Sequence, residues 1–109
     1  MTPRVEFLWW EGCPSHPRAL AELRAAMGDA GLDPDAVDVR HVATEDDARR
    51  EAFVGSPTIR IDGRDLQPRL HDEPVGLTCR VYRLRDGRAS PTPDPADVRD
   101  ALMSATKRG

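Results

Sequence analysis

The sequence contains few of the residues that mark several large classes of protein. It has 2 cysteines, 5% aromatic residues and, among its 16 basic residues, the single lysine Lys107. Two cysteines are too few for the disulfide framework of a small secreted domain. The net charge of −3 and the pI of about 5.6 argue against a general nucleic-acid-binding protein, which usually carries a surplus of positive charge.

Long apolar runs and targeting signals are also missing. No apolar run approaches the roughly 20 residues that are needed to span a bilayer. The first residues, Met1 to Glu6, lack the cationic-then-apolar order of a signal peptide. We therefore expect a cytoplasmic bacterial protein that has neither a membrane nor a nucleic acid as its partner.

What is present is the composition of a folded globular domain. The chain has 109 residues, of which 39% are hydrophobic and 32% are charged. This mixture argues against wholesale disorder, and a chain of this length can bury a modest core without metal or disulfide staples. The sequence contains no internal repeat, so residues 1–109 are predicted to form a single domain.

Hydrophobic periodicity predicts four strands and three helices. The predicted strands are Val5–Trp9, Val37–Val42, Thr58–Ile61 and Leu77–Leu84, and the predicted helices run from Ser15 to Gly28, from Glu45 to about Phe53, and from Asp94 onward. Thr44 and Asp94 have the character of helix N-caps. The Asp62-Gly63 pair is a hairpin-type turn signal, and we expect a polar loop from Arg64 to Pro74.

The predicted order β-α-β-α-β-β-α places the chain in the α/β class. Because a helix joins the first two strands, these strands should be parallel. The last two strands are separated by a loop without a helix and should be antiparallel. The expected result is a four-stranded mixed sheet with helices on its faces.

The most informative segment is Gly12-Cys13-Pro14-Ser15-His16, at the junction between the first strand and the first helix. Gly12 and Pro14 predict an exposed turn; the alternative is that Cys13 is a small buried apolar residue. At such a junction the free N–H groups and the helix dipole favour a thiolate, which is the nucleophile in thiol–disulfide exchange. An imidazolium at His16 would add to this effect, whereas the carboxylate of Glu11 would oppose it unless it points away.

The place where the first helix begins affects this prediction. If the helix began at Cys13, the ring of Pro17 would press on the Cys13 carbonyl group. A start at Ser15 or His16 puts Pro17 in a tolerated position. The sulfur would then lie a little before the helix, where the dipole effect is weaker.

These residues resemble the thioredoxin-like superfamily, over nearly the whole chain in element order. In motif, the resemblance rests on Gly12-Cys13-Pro14-Ser15-His16 and on Gly55-Ser56-Pro57-Thr58. It implies that Cys13 is the nucleophilic cysteine and that Pro57 is a cis-proline beside it. It also implies that the backbone of Ser56, Pro57 and Thr58 binds the substrate chain, with Trp10 or its neighbour as the aromatic residue before the motif.

A narrower resemblance concerns small bacterial thioredoxin-family proteins that share the Gly-Cys-Pro start and a stretch like Gly76 to Tyr82. Some of these proteins carry the label alkylmercury lyase. The chain departs from the superfamily pattern in one respect, because His16 occupies the place of the second cysteine of a Cys-x-x-Cys motif. Cys13 would then act alone through a mixed disulfide, or be resolved by Cys79, or serve only in binding.

Two interpretations of Cys79 follow from its surroundings. Leu77, Cys79 and Val81 alternate and therefore share one face of the predicted strand, which is typical of a buried core cysteine. The other interpretation is a partner for Cys13, since the resemblance brings the loop before the fourth strand near the active-site end of the sheet. A disulfide requires Cα atoms no more than about 7 Å apart.

The predicted function is that of a thiol–disulfide oxidoreductase acting through Cys13, with His16 and Cys79 in support and no cofactor. Its partner would be a protein or small-molecule thiol or disulfide. The arginines of the second half, if they form a positive stripe, would suit an anionic partner such as glutathione; otherwise they form a charged edge. The alternatives are a non-catalytic binding module that holds a soft metal or mercury through thiols, and a structural partner domain that uses a sheet edge or an exposed Trp10 for dimer contact.

Overall fold

A computed structural model describes residues 2–67 and 74–108 of the chain. It contains six strands, three helices and a short 3₁₀ turn at Pro34–Ala36. The strands are β1 (Val5–Trp9), β2 (Asp38–His41), β3 (Thr58–Ile61), β4 (Arg64–Asp65), β5 (Tyr82–Arg83) and β6 (Ala89–Ser90), and the helices are α1 (His16–Asp29), α2 (Glu45–Glu51) and α3 (Pro95–Arg108).

The central sheet has four strands in the order β2-β1-β3-β4. β1 and β2 are parallel, whereas β3 runs antiparallel to both β1 and β4. The predicted α/β class and the predicted four-stranded mixed sheet are therefore confirmed. The parallel pairing of the first two strands is confirmed as well.

The helices cover both faces of this sheet, although its central strands are mainly apolar only on the face that α1 and α3 cover. Phe7 and Ile59 face α1 and α3, and they join Leu23 and Leu102 in one buried cluster. On the opposite face, Leu8 packs with residues from α2 and its flanks. Each such side chain, fully buried, stabilises the fold by about 1.5–3 kcal/mol.

The start of α1 answers the question raised by Pro17. The helix begins at His16 with Ser15 as its N-cap, so Pro17 lies in the first turn, where its missing N–H is tolerated. Cys13 therefore lies three residues before the first helical residue. Its backbone N–H donates to the Trp10 carbonyl oxygen at 3.2 Å, which closes a turn between β1 and α1.

Both predicted helix caps are confirmed. The side chain of Thr44 accepts a hydrogen bond from the Asp47 backbone N–H at 3.0 Å, and the Asp94 carboxylate accepts one from Ala96 at 2.9 Å. The predicted end of α2 is too late, however. The helix already ends at Glu51, because Ala52 adopts the left-handed conformation that closes helices.

The prediction of the fourth strand is wrong. The strand that completes the sheet is β4, which follows the predicted turn at Asp62-Gly63, where both residues have positive φ as type I′ turns require. The predicted strand Leu77–Leu84 forms one isolated bridge, between Cys79 and Ser56, and the short strand β5, which pairs with β6. The predicted Arg64–Pro74 loop is therefore wrong at its start, where Arg64–Asp65 form β4, and its residues 68–73 lie outside the described residues.

The alternation in this segment is opposite to the predicted one. Val81 is 63% exposed and Cys79 is exposed, whereas Arg80 and Tyr82 are buried. Burial of these two side chains is possible because their polar groups are hydrogen-bonded. The Arg80 guanidinium pairs with Asp65, and the Tyr82 hydroxyl donates to the Pro57 carbonyl oxygen at 2.6 Å. Among the described helices, none is long and apolar enough to cross a membrane.

Candidate functional site

The two cysteines of the chain are joined by a disulfide bond. Cys13 and Cys79 are 66 residues apart in sequence, and their Cα atoms are 5.5 Å apart, which is a usual separation for a disulfide. The interpretation of Cys79 as an isolated core cysteine is therefore wrong. The interpretation of Cys79 as the partner of Cys13 is the one that the structure supports.

The turn around Cys13 differs from the expected one in the orientation of the cysteine. Gly12 and Pro14 are exposed, as predicted, but Cys13 is only 2% exposed. The indole of Trp10 lies directly over Gly12, where any side chain would collide with the ring, so the turn requires glycine. Trp10 is consequently half-buried, and not the exposed aromatic residue that was considered as a dimer contact.

His16 contacts the backbone of Cys13. Its Nδ1 lies 2.8 Å from the Cys13 carbonyl oxygen, and since a carbonyl only accepts, the imidazole donates this hydrogen bond. The ring also stacks on Trp9, with centroids 4.3 Å apart. The structure thus gives His16 a visible role in fixing the turn, and its predicted effect on a Cys13 thiolate stays a prediction.

His41 is a neighbour of this turn that sequence reasoning missed. It is the register partner of Trp9 in the parallel β1–β2 pair, and its ring stacks on Trp9 with centroids 4.3 Å apart. Its Nε2 is hydrogen-bonded to the carboxylate of Glu11. Glu11 is therefore engaged by β2. The parallel register would have revealed this contact, had it been known from the sequence.

The Gly55-Ser56-Pro57-Thr58 motif lies at the start of β3 and next to Cys79. The peptide bond between Ser56 and Pro57 is cis, as the resemblance implied. Ser56, Pro57 and Thr58 are all buried. The motif is tied to β1 as well, because the Ser56 hydroxyl accepts a hydrogen bond from the Trp10 backbone N–H at 3.0 Å.

The backbone of Ser56 is occupied by the segment that carries Cys79. The Ser56 N–H donates to the Thr78 carbonyl oxygen at 2.8 Å, and the Ser56 carbonyl oxygen accepts from the Arg80 N–H at 2.9 Å. These groups were expected to bind a substrate chain. In the disulfide-bonded protein they instead hold the chain's own Thr78–Arg80 segment against the start of β3.

Arg80 anchors this segment to the fold. Its side chain is 1% exposed, and its guanidinium pairs with Asp65 at 2.8 Å, contacts the Thr58 hydroxyl at 3.3 Å, and lies 4.9 Å from the centre of the Tyr82 ring. Gly55 makes the fit possible. It has φ +140°, and a Cβ atom there would lie 2.9 Å from the Cβ of Arg80.

Arg80 is one of the arginines of the second half, for which the sequence predicts a positive stripe or a charged edge. The structure separates these residues: Arg60, Arg80, Arg85 and Arg88 each pair with carboxylates, at different places in the fold. Such pairing leaves little of a shared positive stripe for an anionic partner. Arg69 lies outside the described residues. The sequence does contain a signal for the burial of Arg80, because Arg80 and Tyr82 lie two residues apart and so share one face of an extended segment. The opposite face carries Leu77, Cys79 and Val81, and since these residues are more apolar, they are the ones that the sequence predicts to be buried.

A cavity of about 300 Å³ borders the disulfide. Its walls are formed by the turn before α1, by the Cys79 segment and by the chain before α3; the lining residues include Cys13, Pro14, Arg18, Cys79, Pro91 and Thr92. Proline rings and methyl groups make much of this surface apolar. A small thiol or the side chain of a partner protein could therefore approach the disulfide here.

The described part of the chain contains no group of three or more His, Cys, Asp or Glu side chains arranged to hold a metal ion. Comparisons with protein-family models, with curated proteins and with solved structures find no match to this chain.

Proposed function

We propose that this protein is a thioredoxin-like thiol–disulfide oxidoreductase in which Cys13 and Cys79 form the redox pair. The observation that carries the proposal is the disulfide itself, which joins cysteines 66 residues apart at the end of the sheet. One of its residues, Cys79, is exposed, and a cavity borders the bond. Exposed disulfides are the ones that exchange with other thiols, whereas buried ones are usually structural.

The sequence of elements around the two cysteines supports the thioredoxin-like assignment. β1 leads through the Cys13 turn into α1, and Pro57 directly precedes β3. Ser56, the residue before Pro57, forms a β-bridge with Cys79, so the proline motif is adjacent in space to the redox pair. The resemblance likewise implies a reactive cysteine between the first strand and the first helix, and a proline directly before the third strand.

The pair would replace the Cys-x-x-Cys motif. In the reduced protein, two thiols donate two electrons to a substrate disulfide, which leaves as two thiols, and the Cys13–Cys79 bond forms in its place. An external dithiol then reduces this bond and completes the cycle. A second cysteine from a distant segment supplies the resolving thiol that the His16 position lacks.

The test is reduction of insulin disulfides by dithiothreitol, with the protein as catalyst. We expect the wild type to accelerate the reaction and the Cys13→Ser and Cys79→Ser variants to lose most of this acceleration. Ser104→Ala, on the exposed side of α3, is the matched control and should keep the wild-type rate. Equal rates for the wild type and both cysteine variants, or no acceleration by the wild type, would remove the proposal.

A further inference from the structure

The two residues of the disulfide have very different access to solvent. Cys13 is 2% exposed, whereas Cys79 is exposed. Thiol–disulfide exchange proceeds by attack on one sulfur while the other leaves, so access to each sulfur decides which one reacts. The difference in exposure therefore assigns different roles to the two cysteines.

We infer that Cys79 is the residue that exchanges with the substrate and that Cys13 is the buried resolving cysteine, the reverse of the order that the sequence suggests. This inference rests on the proposed function. An external thiolate approaches the attacked sulfur from the side opposite the leaving sulfur. Cys79 is an exposed residue, whereas Cys13 is 2% exposed, so we expect an external thiolate to reach the Cys79 sulfur more readily.

Cys13 is well placed for the resolving role. It lies three residues before α1, a helix of 14 residues whose N-cap, Ser15, makes no side-chain hydrogen bond to the first-turn amides. The first-turn amides are thus left uncapped, and they favour a thiolate at Cys13, although weakly because the residue lies before the helix. The Glu11 carboxylate, which would disfavour this anion, is bound to His41.

Cys79 is well placed to carry a substrate without losing contact with Cys13. Its two neighbours, Thr78 and Arg80, are both hydrogen-bonded to Ser56 through the backbone. Arg80 is also anchored in the interior by Asp65. None of these contacts involves the Cys79 side chain, so reduction of the disulfide leaves them in place. A mixed disulfide on Cys79 therefore stays within reach of the Cys13 thiol.

The reaction then runs in two balanced steps. The Cys79 thiolate attacks one sulfur of the substrate disulfide; the Cys79–substrate bond forms, the substrate disulfide breaks, and the departing thiolate takes a proton from water. The Cys13 thiol loses its proton to solvent and attacks Sγ of Cys79, which releases the second substrate thiolate. The substrate gains two electrons and the cysteine pair is oxidised, until an external dithiol reduces it.

The experiment compares the reduced wild type, Cys13→Ser and Cys79→Ser in their reaction with a chromogenic aromatic disulfide. We expect Cys13→Ser to react at the wild-type rate, to release one aromatic thiolate and to stop as a stable mixed disulfide. Cys79→Ser should react at least about tenfold more slowly, because its remaining thiol is enclosed. The wild type should release two aromatic thiolates and form the internal disulfide.

Equal rates for the two variants, or a faster reaction of Cys79→Ser, would overturn the assignment of roles. In that case the proposed function stands, provided that the wild type still forms the internal disulfide. If the wild type instead stops as a mixed disulfide, the proposed function itself fails.

Alkylation of the reduced wild type provides a measurement that does not depend on the folding of a variant. Under limiting iodoacetamide, peptide mapping should find Cys79 modified before Cys13. The preference should persist at a pH above about 9, because it depends on access to the two sulfurs. Modification of Cys13 first at that pH would contradict the inference.

Discussion

The part of the chain from β1 to β3 and the segment from Gly76 to Ser90 are held in place by different interactions. In the first part, apolar side chains such as Phe7 and Ile59 pack between the sheet and the helices. In the second part, short strands and one bridge are held by a buried arginine, by backbone hydrogen bonds to Ser56 and by the disulfide. Each part carries one of the two cysteines.

This difference has a consequence for the redox pair. Cys13 follows a strand whose position is fixed by hydrophobic burial, which is strong and tolerant of small changes. Cys79 depends on a few polar contacts with specific geometry, so a single substitution can displace it. The stability of the fold and the stability of the disulfide should therefore respond to different substitutions.

The largest effect on stability is expected from the apolar part. Leu102→Ala removes a fully buried side chain from the cluster between the sheet and the helices and should lower the free energy of unfolding by about 3 kcal/mol. Met103→Ala, at the next position of α3 but 42% exposed, is the matched control and should change it by less than about 0.5 kcal/mol. Urea unfolding measures both values.

The same pair of variants tests the separation of the two parts. Neither substitution should change the equilibrium between the Cys13–Cys79 dithiol and its disulfide in the folded protein. A large shift of that equilibrium in Leu102→Ala would show that the apolar core also positions Cys79.

Arg80→Met should act on the redox pair. It removes the pairing with Asp65 and the anchor of the Cys79 segment. Loss of one partner of a buried ion pair costs about 3–5 kcal/mol, and we expect the lower end here because the Asp65 side chain is 18% exposed. With Cys79 less well positioned, the disulfide should become easier to reduce, with a midpoint potential about 30 mV higher for each tenfold loss in its equilibrium constant. Equilibration with a reference dithiol measures this shift.

The matched control is Arg88→Met. Arg88 is exposed and pairs with the exposed Asp86, and exposed pairs contribute little. This variant should keep the wild-type potential. If Arg80→Met also kept it, the positioning role of Arg80 would be wrong, whatever the effect on stability.

The smallest expected effect concerns the link between the polar segment and α3. The backbone N–H groups of Arg85 and Ala96 donate to the Asp94 carboxylate, and they lower the pKa of Asp94 below its ordinary value. A carboxyl group whose pKa is lower in the folded state stabilises the fold above its ordinary pKa, and this contribution is lost as the pH falls. The melting temperature should therefore drop below about pH 4, and less steeply in Asp94→Asn. If the melting temperatures of the wild type and Asp94→Asn fell equally with decreasing pH, this role of Asp94 would be contradicted.

The features that the sequence predicted correctly depend on local patterns. The apolar run Val5–Trp9, the Thr44 cap and the Asp62-Gly63 turn each require only neighbouring residues, and each is present in the structure. Such patterns are strong when burial and turn geometry act over a few residues.

The features that were missed depend on contacts between distant segments. The alternation around Cys79 supports two opposite orientations, and the choice between them is made by Asp65, which accepts the guanidinium of Arg80. The stacking of His41 on Trp9 likewise depends on the register of two strands. Neither interaction can be predicted from a short stretch of sequence. The site could therefore be recognised only once the fold was known.

The central claim is that Cys13 and Cys79 form a pair that exchanges with thiols, and the most direct test is the midpoint potential of the wild-type protein. Equilibration in glutathione buffers, followed by alkylation and mass spectrometry, gives the fraction of disulfide at each potential. The account predicts one two-electron transition with a midpoint above about −300 mV, the range of disulfides that exchange. A disulfide that stays intact at lower potentials would be structural and would contradict the claim.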